Sequence, residues 1–274
     1  MLHSNTLKVN TAGDLLYISF PNLDNAGAIS AFTTRMGGLS RGRYASMNMS
    51  FTNGDLNESV HKNYKILFSA LGLDENKAVL SHQTHTDNIR IVTQRDIGKG
   101  ITKPRDYENV DGLITDIPGI ALVTQYADCV PLLFFDPQKK VAAASHGGWR
   151  GTVAQIAEKT VNTMCSFYNC NPKNILAAIG PSIGRCCYEV DDKVIEKVNC
   201  IDYLNLKDCY IKKANGKYNL SLQQTNLQIM LHAGIKRENI CISDLCTCCH
   251  SEYFHSHRAT GGSRGNLAAV IAIK

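Results

Sequence analysis

Short apolar blocks bounded by turn-forming residues recur along most of this chain, and only a few stretches carry the wider spacing of an amphipathic helix. Leu15-Leu16-Tyr17-Ile18-Ser19-Phe20 and Ile29-Ser30-Ala31-Phe32-Thr33-Thr34 predict early strands, the second running into a Gly37-Gly38 turn. Further strands are predicted from the apolar runs at 89–92, 120–124, 131–135 and 141–144. The last two are joined by Asp136-Pro137-Gln138-Lys139-Lys140, a hairpin turn by composition. Ile175 to Ile179 predicts a strand leading into Gly180-Pro181, and Leu267 to Ile273 predicts a closing one.

Helical spacing is clearest from Asn57 to Leu71, with Gly72 as the stop signal. Thr152-Val153-Ala154-Gln155 has capping-box spacing and predicts a helix start immediately after Trp149-Arg150-Gly151. His146 would then end a strand and the glycines would form the strand-to-helix turn. Backbone amides at such a start can help bind an anion. Ser221-Leu222-Gln223-Gln224 predicts a second capped helix, stopping near Gly234. Short helices among many strands, without regular βαβ repetition, predict an α+β fold. We expect one compact domain over residues 1–274, with mixed β-sheets and flanking helices.

Composition supports a globular chain: 44% hydrophobic and 19% charged residues suit a substantial core. The sequence holds no apolar run long enough for a membrane span, and its N-terminus lacks the apolar core of a secretory signal. A cytoplasmic protein with no membrane partner is therefore expected. Eleven cysteines are many for such a protein, but the count is odd and no secretion signal precedes them, so reduced thiols are the default. The formal charge of +5 is spread along the chain without a dense basic block, which argues against a nucleic-acid partner.

The candidate chemistry centres on Ser145-His146-Gly147-Gly148-Trp149-Arg150-Gly151, with Ala127-Asp128-Cys129 upstream and Ser81-His82-Gln83-Thr84-His85 before that. Two histidines and a cysteine suit a catalytic zinc with an open fourth position. Each residue alone has an ordinary explanation, as a buried thiol, a core histidine or a surface histidine, and His82 competes with His85. Asp128 is a candidate acid/base or orienting group. Arg35, Arg150 and Arg258 are candidate anion ligands, each equally readable as a solvated arginine. Cys246-Thr247-Cys248-Cys249-His250, followed by His255 and His257, looks like a second metal site but lacks a separated cysteine pair. Gly261-Gly262-Ser263-Arg264-Gly265 does not match a triphosphate-binding loop.

Together these segments resemble the laccase-domain, or polyphenol-oxidase-like, family. Its bacterial members include peptidoglycan editing factors, and it is read chiefly as a family of zinc-dependent purine nucleoside phosphorylases. The resemblance runs almost end to end. It rests on Thr33-Thr34-Arg35 with Gly37-Gly38, Ala45-Ser46-Met47-Asn48, Gln83-Thr84-His85, Val110-Asp111-Gly112-Leu113 and Ala127-Asp128-Cys129 with Pro131. It continues through His146-Gly147-Gly148-Trp149-Arg150-Gly151, Ile179-Gly180-Pro181-Ser182-Ile183-Gly184, Tyr188-Glu189-Val190 and Ser256-His257-Arg258. The chain departs from the family's usual residues at Thr86, Gly147, Ser182 and Ser221, and Gly262-Ser263-Arg264 fits only loosely, which leaves the role of Arg264 open.

The resemblance selects His85 over His82 and makes His85, Cys129 and His146 the zinc ligands. It implies phosphorolysis of adenosine, inosine and methylthioadenosine, with deamination of adenosine as a second activity. Purine nucleosides and phosphate are then the partners, with a link to cell-wall precursor quality control. Zinc would lower the pKa of bound water and so supply a nucleophile for C6 of adenine. Asp128 would orient that water or shuttle its proton, and Arg35 or Arg150 would hold phosphate. Two other enzymes fit parts of the pattern. A copper-dependent polyphenol oxidase is suggested by the family's older name, but one His-Cys-His set is too few ligands for a multicopper relay. A cysteine hydrolase would use Cys129 as nucleophile and His146 as base.

Overall fold

The computed structural model describes residues 2–274. Two six-stranded mixed sheets dominate it. In the first, the strands lie in the order Lys8–Ala12, Leu15–Ser19, Ala28–Thr33, Leu267–Ile273, Ala121–Tyr126 and Ala78–Leu80. In the second, the order is Ile240–Ile242, Leu176–Ile179, Val130–Asp136, Val141–Gly147, Gly112–Thr115 and Ile89–Ile91. A small three-stranded sheet is formed by Glu189–Val190, Tyr218–Leu220 and Tyr210–Lys212.

The alternation of side chains along a strand explains the layering. Leu133, Phe135, Ala142 and Ala144 from the second sheet meet Phe32, Leu122, Ala269 and Ile271 from the first, forming the core between the sheets. Their neighbours point the other way. Leu132, Phe134, Ala143 and Ala177 pack beneath the helices Ile156–Tyr168 and Leu222–His232. Ala31, Val123, Val270 and Ala272 pack beneath the helix Asn57–Leu71 through Val60, Tyr64, Leu67 and Phe68. Central strands buried on both faces read as continuous apolar runs, which is why 131–135 and 267–273 carry no polar alternation. The result is helix, sheet, sheet, helix, an α+β arrangement as the sequence predicts.

Several predicted ends hold in detail. The Asn57–Leu71 helix closes on Gly72, whose φ of 65° is the left-handed stop that glycine adopts without strain. Ser221 accepts the Gln224 N–H and caps the Leu222–His232 helix. The Asp136 side chain accepts the Gln138 and Lys139 N–H groups and so tightens the hairpin between Val130–Asp136 and Val141–Gly147.

The capping box at Thr152 does not form. The helix begins at Trp149 with Gly148 as its N-cap, runs only to Val153, and is followed by Gln155 at φ 59°. A second helix then starts at Ile156. The Thr152 hydroxyl instead accepts the Asn226 side-chain amide at 2.9 Å, so tertiary packing takes the group that the local pattern offered as a cap. Among the described residues, no helix is long and apolar enough to cross a membrane.

Candidate metal centre

The site lies where the chain passes from one sheet to the other. Ala121–Tyr126 belongs to the first sheet and Val130–Asp136 to the second, so Cys129 sits on the crossover. His146 is near the end of Val141–Gly147, and His85 follows Ala78–Leu80 of the first sheet. The ligand atoms of His85, Cys129 and His146 lie within 4.8 Å of one another. Cys129 Sγ is 4.0 Å from His85 Nε2, and the two imidazoles meet edge to face with centroids 4.9 Å apart. A tetrahedral zinc with one sulfur and two nitrogen ligands needs S···N edges of about 3.5 Å, close to this spacing.

Asp111 backs the site from behind His146 and the 84–86 loop. Its Oδ1 lies 2.8 Å from His146 Nδ1, which leaves Nε2 for the site. The same carboxylate accepts the backbone N–H groups of Thr84, His85 and Thr86 at 3.0, 3.1 and 2.9 Å, and the Thr86 hydroxyl at 2.9 Å. One buried carboxylate thus positions two of the three candidate ligands. Thr86, where the family usually has glycine, adds a bond rather than removing one. His85 is held at φ 65° and Asp128 at φ 87°. Left-handed conformations of non-glycine residues cost on the order of 1–3 kcal/mol each and gather where surrounding bonds over-determine them.

Gly148 is required by space. A Cβ there would lie 2.8 Å from His85 Cδ2, 3.3 Å from Cys129 Sγ and 3.4 Å from His146 Cε1. The three donors converge because no side chain occupies that point, and the donor set and its clearance fit a small ion. Their electrostatics agree. Burial opposes a charged Cys129, but the His146 and His85 rings favour the thiolate and hold the thiol below its usual range. Burial also opposes a charged His146, yet Cys129 and Asp111 favour its cationic form. For Asp111, burial is outweighed by His146 and the loop N–H groups, which bring its carboxyl down to about 2. The centre is therefore built to hold positive charge against a thiolate and a carboxylate.

A cavity of about 460 Å³ opens over these ligands, with Trp149, Tyr188, Arg258 and Arg264 in its walls. This is ample for a small organic ligand. Asp128 also lines it, but its Oδ1 accepts the Thr247 hydroxyl at 2.6 Å and its Oδ2 the Arg258 N–H at 2.7 Å. Arg258 donates from its guanidinium to the carbonyls of Cys187 and Glu189, both at 3.0 Å. Arg150 is exposed and stacks on Trp149 at 4.4 Å. Arg35 is absent from the residues lining this cavity. Its guanidinium donates to the carbonyls of Ala45 and Ser251 at 2.9 and 3.1 Å. His82 accepts the Asn109 N–H and lines a neighbouring cleft.

Asp111, Gly148 and Arg264 shape the site in ways local sequence does not reveal. Asp111 lies within Val110-Asp111-Gly112-Leu113, and no spacing rule links it to His146. Gly148 fits a strand-to-helix turn by composition, but its clearance of the three donors appears only in the fold. Arg264 lines the cavity, and its guanidinium donates to the Gly265 carbonyl at 3.4 Å and to the Asn266 side chain.

Residues 29–274 match the family model described as multi-copper polyphenol oxidoreductase laccase. The chain belongs to this laccase-like family. It is 35% identical over 257 residues to the purine nucleoside phosphorylase YlmD of Bacillus subtilis, covering 92% of this chain and 91% of that protein. It is 34% identical over 246 residues to the adenosine deaminase RL5 of an unknown prokaryotic organism, covering 89% and 93%. The crystal structure of YlmD from Geobacillus stearothermophilus superimposes with a TM-score of 0.91 at 34% identity, covering 98% of this chain and 99% of that one. The laccase-like members of this family include many proteins named as purine nucleoside phosphorylases.

Proposed function

We propose that this protein is a zinc-dependent purine nucleoside phosphorylase acting on adenosine, inosine and methylthioadenosine, with adenosine deaminase activity. The observation that carries this reading is the convergence of His85, Cys129 and His146 beneath a ligand-sized cavity. It gains weight from relatives named for both activities. Bound by these residues, zinc supplies Lewis acidity toward an oxygen of water, phosphate or substrate.

The remaining work falls to the chain's own side chains. Asp111 fixes the His146 ring so that Nε2 faces the site. Trp149 and Tyr188 offer aromatic walls on which a purine can stack. In phosphorolysis the C1′–N9 bond breaks, phosphate oxygen bonds to C1′, and the departing base takes up a proton. We assign the phosphate to Arg264, a cationic residue of the cavity wall, with Arg258 in the same lining. Arg35 and Arg150 are less suited, because neither is among the residues that line the cavity. Asp128 acts here as a positioning residue rather than a proton shuttle, since both its oxygens hold other groups. Because segments of both sheets and the connection between them bring these side chains together, we take residues 1–274 as one domain. The eleven free cysteines suit a reducing, cytoplasmic setting.

A second reading has its own support: the lowered Cys129 thiol beside His146 would also make a nucleophile–base pair. Chelation separates the two. The test is adenosine turnover with and without phosphate, before and after verified removal of metal, with Cys129 alkylation followed by peptide mapping. The zinc reading expects adenine and ribose 1-phosphate only with phosphate and inosine without it. Both activities should vanish on chelation and return with zinc, while Cys129 reacts slowly in the holo-protein and faster once stripped. Full turnover in stripped protein, lost when Cys129 is promptly alkylated, would replace it with the cysteine hydrolase.

A further inference from the structure

Cys186, Cys187, Cys246 and Cys249 come together away from the catalytic ligands, with their four Sγ atoms within 4.8 Å of one another. Cys249 Sγ lies 3.4 Å from both Cys186 Sγ and Cys187 Sγ. In sequence the pairs are about sixty residues apart, an adjacent pair and a Cys-x-x-Cys. The fold supplies the separated pair that the 246–250 segment lacks by itself. The nearby histidines stay outside: His250 is 3.6 Å from Glu252, His255 accepts the Gly265 N–H, and His257 lines the catalytic cavity.

We propose that these four cysteines form a second, structural metal site that binds one zinc ion as a tetrathiolate. A tetrahedral zinc with four sulfur ligands requires S···S edges of about 3.8 Å, inside the observed range. A single ion fits this spacing, and an all-thiolate donor set selects a thiophilic metal. Four deprotonated thiolates around zinc leave excess negative charge on sulfur, and backbone donors are in place to meet it. Cys246 Sγ accepts the N–H of Gly184 at 3.1 Å and that of Cys249 at 3.5 Å. Gly184 also clears the cluster, because a Cβ there would lie 3.1 Å from Cys186 Sγ and 3.4 Å from Cys246 Sγ. Cys186 and Cys249 are exposed, which gives an ion a path of entry.

The position of the cluster gives it a purpose. It joins the loop after Leu176–Ile179 to the loop after Ile240–Ile242, which also meet through the Ser182–Cys246 bridge and the Thr247 N–H to Ser182 carbonyl bond. These loops carry Ile183, Tyr188, His257 and Arg258 to the catalytic cavity, and Thr247 to Asp128. A tetrathiolate ion would pin the two loops and hold that wall of the cavity in shape. All four ligand positions would be filled by protein, as in a structural rather than catalytic site.

The experiment counts metal in the full chain, purified with reductant, without added metal and without an affinity tag. Wild type is expected to carry about two zinc ions per chain, and both His85→Ala/His146→Ala and Cys186→Ser/Cys249→Ser about one. The histidine double variant, loaded with cobalt(II), should show the intense sulfur-to-metal charge-transfer absorption of a tetrathiolate centre. If the cysteine double variant fails to fold, the zinc content and cobalt spectrum of the histidine variant decide the question. The proposal is overturned if wild type holds no more than one zinc and the histidine variant none. It is also overturned if the four thiols prove disulfide-bonded in protein purified without oxygen, or if cobalt in the histidine variant gives no thiolate absorption. A failure here leaves the catalytic zinc reading standing, because that reading requires only the ion lost with His85 and His146.

Discussion

Asp111 Oδ1 sits 2.8 Å from His146 Nδ1 and 3.1 Å from the His85 backbone nitrogen, so one carboxylate oxygen sets the ring of one candidate ligand and the backbone of another. Outer partners of this kind are worth about 10-fold to 100-fold in metal affinity. Asp111→Asn is expected to weaken zinc binding by that factor, because the amide replaces an acceptor with a donor facing Thr84, His85 and Thr86. Competition with a chromophoric chelator reads the change directly. Unchanged affinity in a folded variant would remove Asp111 from this role.

Gly148→Ala tests whether convergence of the ligands depends on empty space. The new methyl group would meet His85 Cδ2 at 2.8 Å, a contact that a ring can relieve only by swinging away. The expected outcome is lower zinc occupancy and activity, with a melting temperature near that of wild type. Full zinc content would mean that the His85 loop yields without cost.

The arginines separate by what they touch. Losing a hydrogen bond to a charged group costs about 1.5–3 kcal/mol, or roughly 10-fold to 100-fold in binding. Arg264→Met should therefore raise the KM for phosphate in that range while sparing phosphate-independent deamination. Arg35→Met should lower the melting temperature by loosening Ala45 and Ser251, with no selective effect on phosphate. Equal loss of both activities in metal-replete Arg264→Met would point to a general role in substrate binding.

Stability should fall in acid partly through Asp96. Burial opposes its charge, but the Thr93 N–H, Arg90 and Lys99 outweigh that and hold its carboxyl at about 2. Its folded value lies below the unfolded one, so its contribution is present above about pH 4 and is lost as pH falls toward 2. Asp96→Asn should cost roughly 2 kcal/mol near neutral pH and flatten this part of the acid profile. Urea titrations at several pH values measure both effects. Parallel profiles for the two proteins would show that Asp96 does not carry this linkage.

The sequence determined the long central strands and the longer helices by itself, because local chemistry suffices for them. Gly72 ends a helix wherever a left-handed residue is needed, Ser221 caps by reaching its own third neighbour, and the apolar run at 267–273 suits a strand buried on both faces. The capping pattern at Thr152 failed because that hydroxyl has a partner in Asn226, a residue distant in sequence. The short strands Ala78–Leu80 and Gly112–Thr115 were invisible because so few residues carry no readable period and pairing across the sheets holds them.

The same division applies to the site. Residue types and family motifs were enough to propose His85, Cys129 and His146, which the fold brings together, since the chemistry of a donor is a property of its side chain. The structure alone decided between shared and separate surroundings. It placed Arg264 at the cavity, bound Arg35 to backbone carbonyls elsewhere, put Asp111 behind two ligands, and joined Cys186 and Cys187 to Cys246 and Cys249. Sequence order carries no information on which side chains meet across a sheet crossover or between two loops. That depends on the packing of the whole chain, where burial and the need to satisfy buried polar groups choose the partners.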